Sequence, residues 1–227
     1  MTFKKINIAI DGPSGVGKSS IAKKIAQKFN YLFINTGSLY RAIAFFCQKK
    51  QISVQNVQKI LKNFMPNFLL LDLEGNVWLE NQNVSSFLRD DLISKNAAVV
   101  AQYPQIRKIV TEILQDFQKK HKGIVMEGRD VTYNVMPNAD LKIFLWADAE
   151  TRAKRRCKQN AFLNLETDVQ KILKSIEHRD YLDMNRKINP LKKTIDSVFL
   201  DTTNFKENQI VDQIIKLVLR KIGQNML

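Results

Sequence analysis

"INIAIDGPSGVGKSS", residues 6–20, decides the fold. Ile6 to Ile10 reads as a short buried strand that ends at Asp11 and Gly12. From Lys18 onward Ile21, Ile25 and Phe29, with Ala22 and Ala26 beside them, fall at helical spacing. Strand, glycine-rich turn and helix in that order open a parallel α/β unit. The turn, Gly12-Pro13-Ser14-Gly15-Val16-Gly17-Lys18-Ser19, satisfies G-x-x-x-x-G-K-[ST] in full, and Ser20 continues it into the helix. Glycines at these places let backbone N–H groups converge on phosphate oxygens. Lys18 adds positive charge at the β- and γ-phosphates, and the Ser19 hydroxyl is placed to ligate Mg²⁺. Binding, hydrolysis and transfer of a phosphate all begin with this loop, so the rest of the chain must decide among them.

Further apolar runs at "YLFI" (31–34), "GIVM" (123–126), "DLKIFLWA" (140–147) and "SVFL" (197–200) are each followed by polar residues and separated by helical stretches. Near the C-terminus, "NQIVDQIIKLVLRKIG" reads as an amphipathic helix with Ile210, Ile214, Leu217 and Val218 on one side and Gly223 as its stop. Five strands alternating with helices predict a doubly wound α/β P-loop fold. Its five-stranded parallel sheet would carry helices on both faces and ligands at the strands' carboxyl ends. "FLLLDLEGNVWLENQNV" (68–84) breaks the alternation: two β segments meet at Gly75-Asn76, a hairpin turn. An antiparallel hairpin is foreign to a parallel sheet. Residues 62–103 are therefore read as a small antiparallel insertion, with 1–61 and 104–227 as the core.

At 227 residues, 44% hydrophobic and 26% charged, the chain suits one domain with an insertion. No apolar run approaches the ~18 residues of a membrane span, and the apolar start is too short for a signal peptide. Cys47 and Cys157 are isolated, which disfavours a zinc site and a disulfide framework. A cytoplasmic protein is the expectation. The formal charge of +14 invites a nucleic-acid partner. Yet 26 of the 36 cations are lysines spread along the chain, the pattern of a solvated face.

The arginines are less evenly placed. "NTGSLYRA" (35–42) follows the second strand and sets Thr36, Tyr40 and Arg41 over the face of the phosphate loop. A helix N-cap explains Thr36 equally well. "IVMEGRDV" (124–131) puts Glu127, Arg129 and Asp130 at a strand's carboxyl edge, as a site or as a surface ion pair. "ETRAKRRCK" (150–158) places Arg152, Arg155 and Arg156 on one helix face, where like charges crowd unless an anion joins them. "EHRDYLDMNR" (177–186) sets Arg179, Asp183 and Arg186 at helical ion-pair spacing. Seven of the ten arginines lie in these four segments. Arginine clamps around a phosphate loop suit phosphoryl transfer, which needs positioning and charge stabilisation.

Two rivals have less behind them. "DLEG" (72–75) imitates a GTPase switch motif but sits inside the hairpin, and no N-K-x-D follows. A nucleic-acid-binding P-loop protein rests on composition alone, without an aromatic platform or a basic block. No general base stands out for transfer. A phosphate acceptor scarcely needs one, because its second pKa lies around 6. The residues thus lean toward a nucleoside monophosphate as acceptor.

"IDGPSGVGKSSIAKKIA", "NTGSLYRA", "EGRD", "MPNADLKIFLWADAETRAKRR" and "EHRDYLDMNRKINPL", in this order and over almost the whole chain, resemble the bacterial cytidylate kinases. The resemblance implies ATP as donor, Mg²⁺, and CMP or dCMP as acceptor. A broader UMP/CMP kinase is the alternative. It also implies a monomer without nucleic-acid or membrane partners and a mobile lid near residues 150–165. The hairpin insertion would be part of the CMP-binding region and three-stranded. By motif, Thr36, Arg41, Arg129 and Arg186 resemble contacts to the acceptor, and Arg179 with Asp183 resembles the pair holding the sugar. Arg107, in "YPQIRK", and Asp130 resemble residues that read cytosine, and Arg152, Arg155 and Arg156 resemble lid arginines. This chain has Ala98 where the family commonly has serine, and Thr132-Tyr133 where it usually has Gly-Thr.

Overall fold

Isoleucine, alanine and valine runs bounded by glycine and charge produce short strands buried on both faces. The computed structural model describes residues 5–162 and 165–223. The chain begins with β1 (Ile8–Asp11), α1 (Lys18–Phe29), β2 (Leu32–Asn35), α2 (Thr36–Lys49) and α3 (Val57–Asn63). Three short strands follow, β3 (Leu69–Leu71), β4 (Val77–Leu79) and β5 (Gln82–Asn83), then α4 (Asp91–Val100) and α5 (Pro104–Lys120). The remainder is β6 (Ile124–Gly128), β7 (Leu141–Trp146), α6 (Ala149–Ala161), α7 (Val169–Asn185), β8 (Val198–Asp201) and α8 (Glu207–Lys221). Two compact units result, one of Met1–Tyr31 with Gly123–Leu227 and one of Leu32–Lys122. The five-stranded sheet has the order β2-β6-β1-β7-β8, as the parallel α/β reading expects.

In the first unit β1 pairs in parallel with β6 and β7, and β7 with β8. Parallel pairing brings the carboxyl ends of these strands to one edge, where Asp11 lies opposite Gly128 and Phe144. The residues that follow β1 and β6 therefore emerge side by side. Ile8, Ile10, Ile124, Val125 and Ile143 are fully buried, and each such side chain contributes on the order of 2 kcal/mol. Along α8, Ile210, Val211, Ile214 and Val218 are buried, while Leu217 lies at the margin of that face. Asp148 caps α6 by accepting the Thr151 N–H at 2.6 Å, and Asp168 caps α7. Those two helices pack through Ala153, Ile172 and Ile176.

In the second unit α2 and α4 pack through Ala44, Ile93 and Ala97, with Tyr40 and Phe45 against them. The hairpin forms at 69–79 with antiparallel β3 and β4, and β5 adds a third strand. Its turn is organised by Asp72, whose carboxylate accepts from the Asn76 N–H, Asn76 Nδ2 and Trp78 Nε1 at 2.8–3.0 Å. Gly75 has φ +78°, and a Cβ there would come within 2.3 Å of the Phe33 carbonyl oxygen. The D-x-x-G at 72–75 thus builds a turn.

Candidate active site

The phosphate loop runs from the end of β1 to the start of α1, which sets the N-terminus of a helix directly after the loop. Lys18 is buried, and its Nζ donates to the carbonyls of Gly12 and Pro13, each at 2.8 Å. Burial and the neighbouring Arg129 guanidinium pull the Lys18 pKa down to about 7. At the first turn of α1 the Ser19 hydroxyl donates to Glu127 Oε1 at 2.6 Å. Asp11, fully buried at the end of β1, accepts from the N–H groups of Val131 and Thr132 and from Thr132 Oγ1, at 2.7–2.9 Å. Burial outweighs these bonds and pushes its pKa up to about 6. The turn after β6 is therefore hung from the strand that feeds the phosphate loop.

That turn carries Arg129 and Asp130 toward α7. Arg129 Nε donates to Asp183 Oδ2 at 2.8 Å, and Arg179, one helical turn earlier on α7, has its Nε 4.0 Å from the same oxygen. Arg186 is 7% exposed; its Nη1 lies 3.5 Å from Asp183 Oδ1 and its Nη2 donates to Asp130 Oδ1 at 3.2 Å. Asn134 Nδ2 donates to the other Asp130 oxygen at 2.8 Å. Burial works against the Asp183 carboxylate, but Arg129, Arg179 and Arg186 outweigh it and hold its pKa below the ordinary value. Arg129, Asp130, Arg179, Asp183 and Arg186 are thus ion-paired in one cluster, and Asp130, Asp183 and Arg186 are buried, so these are not simple surface pairs. Tyr133, at a position where the family usually differs, donates from Oη to the Pro190 carbonyl, beside the Asn189 carbonyl that accepts from Arg186 Nε at 2.6 Å.

The three arginines of α6 do not gather at one point. Arg152 is buried; its Nε donates to the Ala147 carbonyl at 2.9 Å and its Nη1 to the Ser14 carbonyl at 2.8 Å and to Asp180 Oδ2. Arg155 turns the other way, to Thr202 Oγ1 at 2.9 Å and to the carbonyls of Thr202 and Phe205. Arg156 is partly exposed. Residues 163–164 of the expected lid lie outside the described residues.

In the second unit Thr36 opens α2 and is buried. Arg41 Nε donates to Ser94 Oγ of α4 at 3.3 Å. Arg107 is 2% exposed, with its guanidinium 5.6 Å from the Tyr40 ring centre and its Nη1 donating to the Ala101 carbonyl at 3.3 Å. Ala98 lies one turn after Ser94 on α4.

Two carboxylates escaped the reading of the sequence as site residues: Asp11 and Asp180. Asp11 carried a signal, since it ends a buried strand at the sheet's carboxyl edge. Asp180 carried only its place between Arg179 and Asp183 in a charged helix. Among the described residues no three His, Cys, Asp or Glu side chains cluster to hold a metal ion. No helix among them is long and apolar enough to cross a membrane.

A model of the cytidylate kinase family matches residues 8–220. A cytidylate kinase from Mesomycoplasma hyopneumoniae (strain 7448) is 81% identical over 99% of this chain and 98% of its own length. Another, from Mycoplasmopsis synoviae (strain 53), is 44% identical over 94% of this chain and 98% of its own. Among solved structures, an uncharacterized protein from Eubacterium ventriosum superposes with a TM-score of 0.53 at 16% identity, covering 95% of this chain and 98% of that one. At that identity the likeness concerns the fold.

Proposed function

Because the chain belongs to the cytidylate kinase family, we propose that it transfers the γ-phosphoryl group of ATP to CMP or dCMP, giving ADP and CDP or dCDP. The observation that carries this reading is the pairing of a complete phosphate loop with the Arg129–Asp183–Arg186–Asp130 cluster within one unit. The loop of residues 12–20 holds the triphosphate through backbone N–H groups from Gly15 onward, and Lys18, recharged by the phosphate, sits at the transferring group. Arg129 and Arg186 take the acceptor's phosphate, with Thr36 and Arg41 as further acceptor contacts. Arg179 and Asp183 hold its sugar, and Arg107 with Asp130 reads cytosine. Residues 62–103 serve as the nucleotide-monophosphate-binding insertion, and residues 150–165 as a lid in which Arg156 faces the transferring phosphate.

A dianionic acceptor phosphate is already nucleophilic, so these side chains have to overcome repulsion between two polyanions rather than remove a proton. The hydroxyl of Ser19 and the carboxylate of Glu127, 2.6 Å apart at the loop, are hard oxygen donors that fit Mg²⁺. When bound, that ion supplies charge neutralisation on the phosphates. Ser19 is its ligand in this reading. The protein acts as a cytoplasmic monomer.

ADP release with ATP and Mg²⁺ against CMP, dCMP, UMP, AMP and GMP, plus a control without acceptor, tests the proposal. Turnover confined to CMP and dCMP is expected, with Ala98 tolerated. Equal use of UMP would remove the strict base choice. ADP release without acceptor would overturn transfer in favour of hydrolysis.

A further inference from the structure

We infer that Arg152 and Asp180 form a latch on the phosphate loop, acting as positioning residues that hold it in its anion-receiving shape. Ser14 lies at the tip of the loop, and both of its backbone groups are taken. Its N–H donates to Asp180 Oδ1 at 2.8 Å, and its carbonyl accepts from Arg152 Nη1 at 2.8 Å. The same Nη1 donates to Asp180 Oδ2 at 2.5 Å, which closes a triangle of three groups from three separate parts of the chain. Arg152 Nε is fixed to the Ala147 carbonyl at the end of β7, and the guanidinium lies 6.0 Å from the Trp146 ring centre. Arg152 is 3% and Asp180 6% exposed.

The helices reach the loop's backbone itself. Gly15 has φ +74°, and a Cβ there would stand 3.3 Å from Arg152 Cβ and 3.3 Å from Ile176 Cδ1. A glycine-rich segment loses more conformational freedom on ordering than any other. Whatever orders it beforehand therefore strengthens the binding of a polyphosphate. Asp180 and Ser14 neutralise and occupy the Arg152 guanidinium, so its role differs from that of the partly exposed Arg156. A buried ion pair is in itself weak evidence for stability. Here its geometry is spent on one peptide unit of the phosphate loop.

This inference rests on ATP being the donor, and the test separates the two. Asp180→Asn keeps an oxygen for the Ser14 N–H but removes the charge that orients Arg152. Arg152→Lys keeps the charge but cannot make the Ala147, Ser14 and Asp180 bonds together. For each, the KM for ATP and the Kd of a fluorescent ADP analogue should rise together about tenfold, the worth of one charge-assisted hydrogen bond. The KM for CMP should stay within about twofold, since no acceptor contact is touched. A lowered melting temperature with unchanged nucleotide affinity would overturn the latch. An apolar exchange, Arg152→Met with Asp180→Leu, preserves volume if the single variants fold poorly. It too should raise the ADP Kd, and wild-type affinity in this double variant would refute the proposal. The ADP binding arm needs no acceptor, so it reads the latch even if the CMP reaction itself fails.

Discussion

The phosphate loop and the cluster around Asp183 both prepare positive charge for phosphate, by opposite constructions. In the loop the receptor is contiguous backbone, residues 12–20, with one buried lysine whose pKa has fallen to about 7. In the cluster three guanidiniums meet two carboxylates drawn from segments 54 and 56 residues apart, and each charge is held by its neighbours. The loop's single cation gains its full charge from the ligand. The cluster's cations are charged beforehand, and their carboxylates fix where they point. The difference predicts that damage to the loop falls on the chemical step and on ATP, whereas damage to the cluster falls on the acceptor.

The largest expected effect is Lys18→Ala, with kcat falling about 10³-fold while the KM for CMP changes little. Single-turnover kinetics at saturating CMP would check it; near-normal kcat would erase the contrast between the two regions. Next in size is Arg186→Ala. It leaves Asp130 and Asp183 buried with one partner fewer, at about 3–5 kcal/mol in stability. The kcat/KM for CMP should drop about 10²-fold with the KM for ATP nearly unchanged. A loss of stability without that split would reduce the cluster to scaffolding.

The third test is a titration. Lys18 has a folded pKa of about 7 against an ordinary 10.5, so between these values the unfolded chain binds more protons and stability rises with pH. Binding a polyphosphate restores the proton, so ATP affinity runs the other way and weakens above pH 7, by at most about tenfold per unit. Calorimetry of ATP binding at pH 8 in two buffers of different ionisation enthalpy should show proton uptake. Arg186→Ala should leave that uptake in place, and Lys18→Ala should abolish it. An uptake that survives in Lys18→Ala would place the titrating group elsewhere.

How much of this could be read beforehand follows the same division. The loop was legible because its function is a spacing within nine residues. The strands were legible within a residue or two, as at 197–200 against Val198–Asp201, since a buried parallel strand is a short apolar run. Gly75-Asn76 announced the hairpin for the same local reason. The cluster was legible only as candidates, because whether Arg129 meets Asp183 depends on how the sheet edge faces α7. Helical spacing put Arg152, Arg155 and Arg156 on one face. The far ends of their long side chains, however, chose Asp180 and Thr202, which no local pattern names. Asp180 escaped for that reason: its partner, the Ser14 N–H, lies 166 residues away.

Tyr133→Phe carries the smallest expected effect and tests the contrast most finely. Asp130 and Tyr133 share the turn after β6, and the turn reaches the end of α7 and the segment beyond it, through the Asp130 carboxylate to Arg186 and through Tyr133 Oη to the Pro190 carbonyl. Arg186 Nε in turn donates to Asn189, the residue before that proline. These bonds close a ring, so the hydroxyl fixes the segment on which the Arg186 guanidinium leans. Lys192 Nζ lies 4.6 Å from the Tyr133 ring centre, a contact that phenylalanine retains, while the variant removes the hydroxyl and its bond to the Pro190 carbonyl. One such bond is worth about 1 kcal/mol. If the cluster depends on prior alignment, the KM for CMP should rise about threefold to fivefold, with ATP kinetics and the proton uptake at Lys18 unchanged. An equal loss for both nucleotides would mean that the ring supports the loop as well, through the bonds of Asp11 to Val131 and Thr132, and that the two regions are not separable.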